Sequence, residues 1–480
     1  MAVADDVQGL LIHGAGESYV QSWHLFYEFP NASAGLRWLR WLETQFTSAT
    51  ALESSTKPQF LTFFGLTYNG LRALGLEAEL KKTNAGFVMG DRSVVENPFP
   101  LEFIEFPKAA ALGDTAASDH PDQWWNGRFK AKQVHGSVHL YCQSDADAAA
   151  RLAAVRVKFQ ELGIVELNAH GPGKPPLEGR PLANRHQVHF GYIDGIAQPT
   201  VDWENDPPRA GMMDRRQFLL GYKTSSTGEP VSAPSYGDTE DYFRNSTYLA
   251  FRWLEQDSAA FDKFLNDQSE KLRPHFPQAA DLRELLAAKL VGRWRNGVSL
   301  QAAPINMKSG QAPDDGFGYH GGDKEGLLVP PSSHIRSSNP RNQELKASAS
   351  DSLNPPAVVP RLIRRGMPFG PEWVKGVNDN TERGFLGMFF CVSLFYQFQM
   401  ILKWMNTSDF SPLFGAPMPL SQDPLFGNRG PSPKRPPFRI PTASGVLEIE
   451  MPDQAFVRSR GTAYLLVPSL STLRRMINPS

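Results

Sequence analysis

A strand-like stretch running straight into a helix-like one recurs in both halves of this 480-residue chain, and that doubled order limits the fold more tightly than any single motif. In the first half SWHLFYEF, from Ser22, reads as a strand and leads into AGLRWLRWLETQF, where Leu36, Leu39 and Leu42 recur at helical spacing. QFLTFFGLT, from Gln59, and GSVHLYCQ, from Gly136, are further strands. The second of these enters SDADAAARLAAVRVKFQ, in which Ser144 is placed to cap a helix and the alanines favour one. In the second half STYLAFRWLEQ, from Ser246, runs into a helix beginning near Asp257, GFLGMFFCVSL runs into FYQFQMILKWMN, and GTAYLLVPSLSTLRRM repeats the pattern. Two β-α-β-type units, each an antiparallel sheet with helices on one side, give this order. The chain is too long for one core, and its boundary is expected in HGPGKPPLEGRP, from His170 to Pro181, where prolines and glycines let neither helix nor strand persist. The expected domains are residues 1–180 and 181–480.

Charge narrows the partners. With 49 basic and 50 acidic residues the chain has no broad attraction to nucleic acid or an acidic membrane, so neither is expected as a partner. Cys142 and Cys391 each sit in an apolar, strand-like run, which suits buried thiols and disfavours a disulfide framework or a cysteine metal site. The strongly apolar run FLGMFFCVSLF spans 11 residues, short of the roughly 20 that cross a bilayer. MAVADDVQG has no basic segment followed by an apolar one, so a cytoplasmic location is expected, although a chain trimmed of its leader would read the same. Loop-rich tracts at 86–134, 202–240 and 303–360 are long enough to suggest function.

Eleven histidines are scattered without an H-E-x-x-H pair or a tight His/Cys cluster, which disfavours structural zinc and zinc proteolysis. A single imidazole acting as sole protein ligand suggests haem, whose porphyrin supplies four nitrogens, but spacing alone does not choose among the eleven. In HFGYIDGIAQP, from His189, Asp194 followed by Gly195 has the form of a short hairpin turn.

The longer string resembles the G-x-x-D-G signature of dye-decolorising haem peroxidases, here Gly191, Tyr192, Ile193, Asp194 and Gly195. Further strings follow in that family's order. KLVGRWRNGVSL resembles its VGRW segment, SSHIRSSNPR the segment with the proximal histidine, and RLIRRGMPFGPE the distal-arginine segment. ERGFLGMFFCVSLFYQF, SQDPLFG and FVRSRGTAYLLVPSLSTLR are similar to later segments, and ADDVQGLLIHG more loosely to the opening strand. The resemblance spans residues 4 to 475.

The resemblance implies haem b (iron protoporphyrin IX) as cofactor, reducing hydrogen peroxide through a ferryl-porphyrin radical intermediate and oxidising aromatic donors such as dyes and phenolics in one-electron steps. It implies His334 as the axial iron ligand, Asp423 as the carboxylate behind it, and Arg336 and Arg341 as holders of the propionates. Asp194 would move the proton and Arg364 would stabilise the charge developing on peroxide, with Gly191, Ile193 and Gly195 giving the loop its close approach. Trp404 is similar to a tryptophan that passes oxidising equivalents to the surface, although a helix residue packed on the sheet has the same pattern.

Three departures stand out. Phe369 replaces a tyrosine common in relatives, Gly387 stands where a large residue would narrow the distal side, and VPPSS precedes His334 in place of a CPF-type string. The fold class expected is α+β: two ferredoxin-like domains, each an antiparallel β-sheet with peripheral helices, related to dimeric α+β barrels. The alternatives are a haem-binding or iron-handling protein without a physiological peroxidase role and a haem-free ferredoxin-like binding module. Asp194 with Arg364 favours the enzyme, because a carrier needs no distal acid-base pair.

Overall fold

The computed structural model describes residues 2–76, 101–116, 118–222, 242–343, 359–407, 422–427 and 434–478. In the first half β1 (Gln21–Glu28), β2 (Phe60–Leu66), β3 (Gly136–Cys142) and β4 (Val165–Leu167) are joined by α1 (Ala32–Thr44) and α2 (Asp145–Leu162). A short β5 (Leu177–Gly179) follows. The second half holds β6 (Thr247–Gln256), α3 (Ser258–Gln268), α4 (Leu282–Val291), α5 (His334–Ser338), β7 (Ile363–Phe369), β8 (Gly384–Cys391), α6 (Met400–Thr407), β9 (Val457–Val467) and α7 (Leu470–Ile477).

Local chemistry sets the helix starts. The Asn31 side chain accepts from Ala34 N at α1, Ser144 accepts from Asp147 N at α2, and Asp257 accepts from Ala260 N at α3. Gly163, in the left-handed region at φ 66°, ends α2. The inward face of α1 buries Trp38, Leu39 and Leu42. The strands β1, β3 and β6 are buried on both faces, so their apolar residues do not simply alternate with exposed polar ones, and the polar residues they carry are buried with them.

The strands form one antiparallel sheet in the order β4-β1-β3-β2-β9-β6-β8-β7, with β5 paired to β1. In each half the fourth strand lies beside the first, then the third, then the second, so the fold is a doubled ferredoxin-like α+β arrangement. The halves join where Leu66 meets Leu466. At the far side Arg180 N donates to Pro368 O at 2.7 Å, and the sheet curls until its ends meet.

Rings from both halves fill the interior. Phe251 lies 5.2 Å from Phe26 and 5.5 Å from His139 between ring centres. Within this apolar setting a hydrogen-bonded row runs from Ser137 through His139 (2.8 Å), His24 (2.7 Å) and Ser22 (3.0 Å) to the Met367 sulfur (3.5 Å). One arrangement of protons serves every group. Ser137 donates to His139 Nε2, His139 Nδ1 to His24 Nδ1, His24 Nε2 to Ser22, and Ser22 to sulfur.

Two expectations are corrected here. HGPGKPPLEGRP does hold a strand, β5, because Gly179 lies opposite Ser22 where any Cβ would meet the Ser22 hydroxyl and Met367. The ADDVQGLLIHG segment is two short helices, Val3–Asp6 and Gly9–Ile12, rather than an opening strand. Between them the Gln8 amide bonds Phe64 N and O and Pro468 O, sealing the seam where β2 meets β9. Of the loop tracts, residues 86–100, 223–240 and 344–358 lie outside the described residues. Cys142 and Cys391 are buried free thiols, each pushed above the usual thiol range by burial.

Candidate active site

Against the outer face of the second half-sheet lies a cavity of about 600 Å³, a volume suited to a cofactor-sized molecule. Its walls include Leu254 of β6, Phe385 and Phe389 of β8, Ile401 of α6, His334 at the start of α5, and Asp194 from a loop.

His334 opens α5. Ser333 O receives the amides of Arg336 and Ser337 at 2.9 Å, and the Ser333 hydroxyl donates to Lys289 O, so VPPSS anchors this turn to α4. His334 Nδ1 donates to the fully buried Asp423 carboxylate at 2.7 Å, and Phe426 stacks on the imidazole at 5.4 Å. The same carboxylate accepts from the Ser337 hydroxyl (3.0 Å), Leu425 N (2.8 Å) and Phe426 N (3.0 Å). Asp423 therefore forms the turn and also orients His334. Burial alone would push its carboxyl up, but the His334 charge, its hydrogen bond and the two amides outweigh that and hold it below the ordinary range. The remaining nitrogen, Nε2, has no hydrogen-bond partner among the described residues, and His334 lines the cavity.

Across the cavity, residues 186–194 form a tight hairpin. Asp194 N donates to His186 O at 2.8 Å and Val188 N to Tyr192 O at 3.0 Å, with Gly191 turning the chain at φ 82°. Asp194 and Arg364 meet at 3.3 Å, both partly exposed to the cavity. Gly195, at φ 83°, has nothing within 4 Å of where a Cβ would stand, leaving open space beside the acid. Ile193 and Gly195 line the cavity. Gly191 does not; it backs onto Arg295, whose guanidinium donates to Phe190 O.

Arg341 and Arg336 part company. Arg341 lines the cavity, binds the Asp315 carboxylate and the Asp315 and Phe317 carbonyls, and keeps a buried Nε without a partner among the described residues. Arg336 is fully buried away from it, held by Asp323 (3.2 Å), Val329 O (2.8 Å) and Gln343 (2.8 Å) and lying over the Tyr319 ring. Its expected hold on a cofactor is corrected: on a five-residue helix, two positions after His334 points away from the cavity side.

Sequence reasoning missed Arg361. It lines the cavity, donates to Ala197 O at 3.2 Å, and has no carboxylate partner among the described residues. Burial, then the neighbouring charges of Arg341 and Arg364, holds its guanidinium below the ordinary range. Its position three residues before Arg364 in RLIRR was the available signal. Arg365, on the other side of the strand, turns inward and donates to Leu10, Leu11 and Ile12 carbonyls, ending the helix there.

Other expectations resolve plainly. Trp404 is 8% exposed within the apolar core, so it is not a surface residue, and the packing role accounts for its place on α6. Gly387 does not line the cavity: the Phe389 ring stands 2.7 Å from its absent Cβ and fills that space. Phe369 is buried, and its carbonyl accepts from His189 Nε2 at 2.7 Å.

No protein-family model matches the chain. The chain is 30% identical over 366 residues to a dye-decolorizing peroxidase of Auricularia auricula-judae, covering 73% of this chain and 66% of that one. It is 26% identical to Peroxidase 2 of Mycetinis scorodonius, over 89% of this chain and 78% of the relative. The crystal structure of a fungal DyP-type peroxidase from Auricularia auricula-judae superposes with a TM-score of 0.73 at 22% identity, covering 99% of each chain. This chain belongs to the dye-decolorising peroxidase family.

Peroxidases of this family are haem enzymes, and the residues present suit that group. The cavity offers one imidazole with a free Nε2 and an anionic partner behind it, apolar walls, and Arg361 in need of an anion. Iron, macrocycle and carboxylates each have a matching surface.

Proposed function

We propose that this DyP-type peroxidase holds haem b in the cavity, where His334 Nε2 would bind the iron and Arg341 and Arg361 would receive the propionates. The observation that carries the reading is the convergence of His334, backed by Asp423, and the Asp194–Arg364 pair on one cavity from positions far apart in sequence. Bound there, haem would supply the redox chemistry that side chains lack: two-electron reduction of hydrogen peroxide, balanced by two one-electron oxidations of donors.

The chain's own groups handle protons and charge. Asp194 accepts a proton from hydrogen peroxide and returns it to the departing oxygen, for which its carboxylate, paired with Arg364 through one oxygen, faces the cavity. Arg364, 3.3 Å from it, stabilises negative charge on that oxygen. Asp423 fixes the His334 tautomer with Nδ1–H and makes Nε2 a stronger donor. Bulky aromatic donors, dyes and phenolics among them, are the substrates proposed, in line with the relatives named for dye decolorisation.

An absorption spectrum of the haem-supplied protein, before and after one equivalent of hydrogen peroxide, tests this. We expect a Soret band that changes within milliseconds of mixing, a change slowed in Arg364→Leu and a band lost or displaced in His334→Ala. A Soret band indifferent to peroxide would leave a haem carrier, and no band at all would remove the haem.

A further inference from the structure

We propose that Gln198 is a positioning residue for the peroxide reaction: its side-chain amide grips the backbone of Arg364 and thereby sets the guanidinium against Asp194. The inference rests on the peroxidase reading above.

Gln198 Nε2 donates to Arg364 O at 3.0 Å, and Arg364 N donates to Gln198 Oε1 at 3.1 Å. This is the two-bond exchange that a neighbouring strand would make, performed by a side chain. It is needed because β7 ends the path of the sheet on this side. Arg180 N reaches Pro368 O, so that carbonyl faces away from β8, and with a period of two the backbone groups of Gly366 and Arg364 face the same way. Proline at 368 has no amide to lose there. At Arg364 the amide donates to Gln198, and the carbonyl accepts from Gln198 and also from the Arg365 guanidinium at 3.0 Å.

The clamp joins the two working groups. Gln198 lies four residues beyond Asp194 in the same loop, Pro199 restrains it to extended backbone, and the preceding Ala197 O takes a bond from Arg361. By contrast the Asp194–Arg364 contact is a single hydrogen bond of 3.3 Å between two side chains. The backbone clamp fixes the point from which the Arg364 side chain departs, and the contact with Asp194 meets the guanidinium at its far end.

The test compares Gln198→Met, which keeps the length and loses both bonds, and Gln198→Ala with the unaltered haem-loaded enzyme. Hydrogen peroxide and the organic dye ABTS serve as substrates. We expect kcat/KM for peroxide to fall about 10- to 100-fold, as misplacement of a catalytic group does, while kcat/KM for the dye holds. Amide exchange at Arg364 should quicken in both variants, with or without haem. In an Arg364→Leu background Gln198→Met should change the peroxide constant little, because its effect runs through that arginine. The clamp is overturned by an undiminished peroxide constant, by both constants falling together, or by an undiminished penalty in the Arg364→Leu background. An unaltered enzyme inert to peroxide overturns the peroxidase reading and the clamp with it.

Discussion

His334 and Arg336 share one turn of helix and do different work. His334 faces the cavity with its Nδ1 tied to Asp423, whereas Arg336 sits among Asp323, Val329 O and Gln343 with no exposure at all. Replacing Asp423 by Asn removes the anion behind the imidazole, and haem retention should weaken about 10- to 100-fold. Transfer of haem to apomyoglobin measures this. Arg336→Met strands the buried Asp323 charge and should lower stability by about 3–5 kcal/mol in denaturant unfolding, yet leave the Soret band where it was. Arg361→Met should do the reverse, loosening haem with little change in unfolding. An altered Soret band in Arg336→Met would restore the propionate role that the resemblance implied for it.

The cavity floor is decided at the level of the strand. Gly366 of β7 and Gly387 of β8 are paired across the ladder, and their missing side chains are replaced by the Phe385 and Phe389 rings. A Cβ on Gly366 would stand 2.5 Å from Leu386 O, a backbone atom that cannot swing aside. Gly366→Ala should therefore cost about 1–3 kcal/mol in thermal unfolding. Glutamine amides close strand ends elsewhere as well. Gln397 accepts from Val392 N and Ser393 N and donates to Gln217 O and Arg361 O, so both ends of the cavity segment 361–364 are tied by amide side chains. Period-two patterning marks none of these bonds, since a glutamine that completes a sheet looks in sequence like any polar loop residue.

Across the whole molecule the interior imidazoles make the fold sensitive to acid. Burial pushes His24 down to about 3 and His139 well below its ordinary value, so both are neutral when folded and charged in the unfolded chain below about pH 6.5. The unfolded state then binds more protons, and stability rises with pH in that window. Stability should be full above about pH 6.5 and fall as pH drops from there towards about 3, by about 1.4 kcal/mol per pH unit for each histidine. Unfolding of His24→Phe should show a shallower acid slope than the unaltered protein; an equal slope would place the sensitivity elsewhere.

Local order was legible in the chain itself. The strands at 21–28, 60–66, 136–142, 247–256 and 384–391, the cap at Ser144, the helix start near Asp257, and the buried cysteines follow from periodicity and capping, which depend on neighbours a few positions away. Motif resemblance singled out His334, Asp194 and Arg364, because those strings are short and contiguous. What the linear chain could not carry was direction and company: that Arg336 turns inward while Arg341 and Arg361 face the cavity, that Trp404 is buried, that Phe389 fills the room left by Gly387, and that Gln198 binds a backbone 166 positions away. The Phe389 and Arg336 contacts are local in sequence but depend on which way each side chain turns; the others rest on segments that meet only once the sheet has curled, and tertiary structure alone decides which residues those are.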